Sequence, residues 1–101
     1  MTVLSGNDID TPALMRERLT VLAPDALEIF DESGEHAGHE GARAGGGHYR
    51  LLIVSNRFVG QSPLERHRLV YDAVADLMHR RIHALAITAY TPDEMTAAFE
   101  R

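Results

Sequence analysis

Six histidines and no cysteine set the chemistry open to this chain of 101 residues. A neutral imidazole is a ligand suited to zinc, iron, copper or nickel, whereas soft-metal chemistry needs thiolates. Any such thiol must be lent by a partner. His36 and His39 stand three residues apart on the segment Glu32 to Gly47, in which six of sixteen residues are glycine. Two imidazoles so spaced on a pliant backbone are compatible with metal ligation, but the spacing is common by chance and the glycine content favours a mobile polar loop. Ser55, Asp72 and the histidines form no recognisable nucleophile arrangement, so no enzyme is expected.

The elements that must position these groups are signalled locally. Ser62, Pro63 and Glu65 make a capping box, so a helix starts at Pro63. His67, Val70, Tyr71, Val74, Leu77 and Met78 then continue one stripe at helical period, predicting about four turns with Phe58 and Tyr71 in the core. After Arg80 and Arg81 the period changes to two, with Leu85 and Ile87 opposite Ala84, Ala86 and Thr88. His83 stands where the helix has ended and a strand begins. Upstream, Thr11 as N-cap and Pro12 at the first helical position open a helix that buries Met15, Leu19 and Leu22 and ends near Pro24. Leu27 to Asp31 alternates as a first strand, and His48 to Ser55, with its LLIV run, reads as a central one. Thr91, Pro92 and Glu94 cap a last helix whose apolar side is Met95, Ala98 and Phe99. The order is α-β-β-α-β-α, an α/β (α+β) domain over residues 11–101 behind an unpatterned leader, residues 1–10.

This order has a consequence for the histidines. The first two strands, joined by the glycine-rich segment, are most simply antiparallel, while the helical crossover makes the third parallel to the second, giving a mixed three-stranded sheet. The start of strand two, the start of strand three and the glycine-rich segment therefore share one edge. His83, His48, His36 and His39 converge there by topology. For single residues the bland alternatives stand beside this: His83 bonding a neighbouring carbonyl, His48 facing water, His67 at the core boundary, His79 at a helix C-terminus, and Arg66, Arg68, Arg80 and Arg81 as a solvated helix face.

A formal charge of −5 lacks the footprint of a nucleic-acid-binding domain, although Arg66, Arg68, Arg80 and Arg81 cluster in sequence. No apolar run approaches the ~18 residues that span a bilayer, and no signal peptide is legible, so a cytoplasmic monomer is the expectation.

The stretches DESGEHAGHEG, HYRLLIVSNRFVGQSPLERHRLVY and HALAITAYTPDE, in that order, resemble the BolA family over roughly Leu19 to Glu94. The resemblance implies a two-layer sandwich like the class II KH fold. It also implies a partner, a monothiol CGFS-type glutaredoxin, with which BolA-like proteins form heterodimers that bridge a 2Fe-2S cluster shared with glutathione. The family's H-A-L histidine, a cluster ligand, falls on His83. A second ligand from the loop between the first strands would here be His36 or His39. Such a protein serves iron-sulfur cluster trafficking or iron sensing. BolA-like proteins are also regarded as transcriptional regulators, and that alternative would use Arg66, His67, Arg68, Arg80 and Arg81 against DNA phosphates.

Overall fold

A computed structural model of the chain describes residues 10–33 and 46–99. The leader, residues 1–9, and the His36/His39 pair lie outside the described residues. Helix α1 (Thr11–Leu19) is capped by Asp10, whose Oδ1 accepts from the Ala13 N–H at 2.8 Å. Thr11 is thus the first helical residue rather than the cap, because the aspartate one position earlier already satisfies an orphan donor. Helix α2 (Pro63–Ala73) has the expected capping box, with Ser62 Oγ accepting from Glu65 N at 3.1 Å and Glu65 Oε1 from Ser62 N at 2.7 Å.

Contrary to the four-turn expectation, α2 ends at Ala73 and a 3-10 turn, Ala75–Leu77, follows. The tighter turn lets Val74 and Leu77 both stay buried while the chain swings toward the next strand. Tyr71 differs too. It is 38% exposed, and its hydroxyl donates to the Leu85 carbonyl at 3.1 Å.

Strands β1 (Ala26–Asp31), β2 (Gly47–Val54) and β3 (Ile82–Tyr90) form one sheet in the order β1-β2-β3. β1 pairs antiparallel with β2, and β2 pairs parallel with β3. This is the mixed sheet that the crossover required. Tyr49, Leu51 and Ile53 of β2 turn inward beside Leu85 and Ile87 of β3, and Met15, Leu19, Phe58, Val70 and Val74 cover them from the helical layer. The other sheet face carries Glu28, Phe30, Arg50, Leu52, Ala84 and Ala86. Ser55 is fully buried, donating to the Leu22 carbonyl at 2.6 Å and accepting from Arg57 N at 3.0 Å. Its hydroxyl is committed to closing a turn.

The last helix, α3 (Pro92–Phe99), has its capping box between Thr91 and Glu94. Of its apolar side, Met95 is half-buried, while Ala98 and Phe99 are exposed, Phe99 by 73%. None of the described helices is long and apolar enough to cross a membrane.

Candidate functional site

The parallel pairing of β2 and β3 carries one irregularity, and it falls on His83. Gly47 pairs with Ile82 but His48 pairs with Ala84, so one step along β2 matches two along β3 and His83 is the extra residue. A β-bulge of this kind re-aims a side chain out of the regular alternation. The re-aimed imidazole lies against His48, with ring centroids 5.2 Å apart and planes inclined by 29°. His83 is exposed and His48 half-buried, with its Nε2 shielded from solvent.

Close backbone approach makes room for the arrangement. A Cβ on Gly46 would stand 2.6 Å from His83 N and 3.0 Å from His83 Cβ. One on Gly47 would stand 2.4 Å from Ser33 Oγ. That hydroxyl accepts from the His48 N–H at 2.9 Å, and the His48 carbonyl accepts from Glu32 N at 2.8 Å. So β1's exit, the return into β2 and the first residues of β3 meet at one rim. Residues 34–45, which hold His36 and His39, leave and re-enter the described structure at this rim. Two of the four converging histidines are therefore seen together, and the other two lie outside the described residues.

Chemically, two neutral imidazoles supply half of a four-coordinate shell. Among the described residues no three His, Asp or Glu side chains are grouped so as to hold a metal ion. A metal held at this rim would need further ligands from outside the pair.

The four arginines do not form one patch. Arg66 is 13% exposed and engaged within the chain. Its Nε donates to the Gln61 carbonyl at 2.9 Å, Nη1 to the Ala89 carbonyl at 3.1 Å, and both Nη atoms to Glu94 at 2.6 and 3.0 Å. The forked hydrogen bond from Arg66, followed by the Thr91 N–H, holds the Glu94 carboxyl down to about 2. Arg80 and Arg81 lie beyond the other end of α2, in the turn that leads to His83. From Arg81 to Ala89 along β3 is roughly 25 Å at ~3.3 Å per residue, about three Debye lengths at physiological salt. Arg68 and Arg80 are exposed and His67 is half-buried. Sequence reasoning missed Gly46, Gly47 and Ser33; the only signal was that the glycine run abuts the HYR strand.

The family described as "BolA-like protein" matches residues 19–94. BolA-like protein 1 of Mus musculus is 46% identical over 81 residues, covering 79% of this chain and 57% of the relative, so the chain spans a little over half the length of that protein. The DNA-binding transcriptional regulator BolA of Escherichia coli is 35% identical over 86 residues, covering 80% of this chain and 79% of the relative. Among solved structures, the BolA domain of SufE1 from Arabidopsis thaliana superposes with a TM-score of 0.70 at 40% identity, covering 91% of this chain and 99% of that one.

Proposed function

The chain belongs to the BolA-like family, and from that premise we propose that it is a non-enzymatic partner of a monothiol, CGFS-type glutaredoxin that co-ligates a bridging 2Fe-2S cluster through histidines, in iron-sulfur cluster trafficking or iron sensing. The observation that carries this reading is the exposed His83 imidazole, set on a bulge against His48 at the rim where residues 34–45 depart. His83 is the first ligand, and His36 or His39 the second. Glutaredoxin cysteine and glutathione would supply the thiolates that this chain lacks. When bound, the cluster would supply one-electron redox or a transferable cargo, and imidazole in place of thiolate favours a higher reduction potential.

What the chain itself does is present and orient nitrogen donors. They ligate only when unprotonated, so assembly weakens in acid. Co-expression with a CGFS glutaredoxin, followed by size exclusion with iron and sulfide analysis, tests the complex. His83→Ala is expected to change the visible absorption and circular dichroism of the heterodimer and to make the cluster more labile; unchanged spectrum and lability reject His83 as ligand.

A second reading, a DNA-binding regulator, is supported by the name of the Escherichia coli relative and by exposed Arg68 and Arg80. The formal charge of −5 and the split of the arginines weigh against it. Mobility shift of duplex DNA across a salt series decides this: binding that survives physiological ionic strength and weakens on Arg80→Ala supports it, and no shift there removes it.

A further inference from the structure

We propose that Gly46 is a positioning residue for the His83 imidazole, and that Ser33 plays the same part for His48, so that the two rings are set side by side before any ligand arrives. The inference deepens the reading above and rests on it only for its consequence, since the placement itself is a property of the chain alone.

In regular parallel pairing His83 would take its turn in the alternation of β3 between Ile82, which is fully buried, and Ala84. The bulge frees it from that alternation, and a bulge needs a partner backbone that can approach closely. Gly46 is that partner: its Cα side faces His83 N, His83 Cβ and the Ile82 carbonyl carbon at distances that a methyl could occupy only by pushing β3 away, 2.6, 3.0 and 3.0 Å. Gly60 is the only described glycine at positive φ, so alanine at position 46 meets no backbone strain of its own. The effect of the substitution is confined to the close approach. On the neighbouring strand, Gly47 leaves space for the Ser33 hydroxyl, which accepts from His48 N–H and fixes where that ring starts. The adjoining Gly47 N–H donates to the Arg81 carbonyl at 3.0 Å, pinning the turn before the bulge. Three small residues thus hold two imidazoles from strands that are far apart in sequence. Preorganised donors of this kind cost less ordering when a ligand is taken.

The test uses the full chain without metal, then the heterodimer. In Gly46→Ala, inter-ring nuclear Overhauser contacts between His48 and His83 are expected to disappear, while the ring shifts of His67 stay put. The reconstituted complex with glutaredoxin is expected to lose iron to a chelator several-fold faster than the parent. Retained inter-ring contacts overturn the positioning role, whatever the cluster does. Lost contacts with unchanged iron loss uphold the positioning and reject His83 as a ligand, which separates the two claims. Should Gly46→Ala not fold by circular dichroism, Ser33→Ala serves: faster exchange of the His48 amide with weaker inter-ring contacts supports the arrangement, and no change in either overturns it.

Discussion

At the scale of single residues, identity in the sequence is a poor guide to whether a charge faces a partner or the fold. Arg66 looks like the start of a basic surface, yet its guanidinium reaches a carbonyl and a carboxylate 23 and 28 positions away. No local pattern encodes that reach. Glu94 answers it from α3, and its depressed pKa sets the sign of a pH effect. A carboxylate held below its unfolded value of 4.5 contributes stability that is complete above that pH and is lost as pH falls through about 2. Glu94→Gln is therefore expected to melt below the parent at neutral pH. The gap should close progressively below pH 4.5 and vanish near pH 2, which thermal scans across that range would show. A gap unchanged in acid would mean that the pair contributes through packing alone. Tyr71 makes the complementary point: it belongs to an apolar stripe, but its hydroxyl found a strand carbonyl and kept the ring near the surface.

At the scale of elements, caps and periods read well because they are local. The Ser62 box was legible from four residues, and both of its hydrogen bonds are present. Ser62→Ala is expected to cost about 1 kcal/mol by chemical denaturation, with no change in the histidine rim at the other end of α2. The end of α2 was less legible, since a stripe at helical period continues through a 3-10 turn almost unchanged over three residues. The sheet edges show a further device that no strand pattern announces. Arg16 Nη1 donates to the Leu27 carbonyl of β1 at 3.1 Å, while Tyr71 and Arg66 donate to the Leu85 and Ala89 carbonyls of β3. Side chains from the helices thereby occupy acceptors on both outer strands and blunt the edges against pairing with another chain.

At the scale of the whole molecule, one buried cluster joins the helical layer to the sheet, and Phe58 is the largest fully buried side chain in it. Its ring also lies 5.9 Å from the Arg66 guanidinium carbon, so the core and the α2–α3 brace share a residue. Phe58→Ala is expected to lose about 3–5 kcal/mol, a large part of the ~5–15 kcal/mol typical of a domain, and denaturant titration would read it as a midpoint shift at unchanged slope. The amino-acid sequence by itself determined the element order, the parallel crossover and hence the rim on which His48 and His83 meet, because capping residues and hydrophobic period act between near neighbours and a helical crossover admits one strand direction. Only the tertiary structure decided that His83 sits on a bulge, that its ring stacks on His48, and that Gly46 makes the room. Those depend on a close approach between backbones 37 positions apart, and whether a methyl fits there is a matter of tenths of an ångström that no spacing in the chain records.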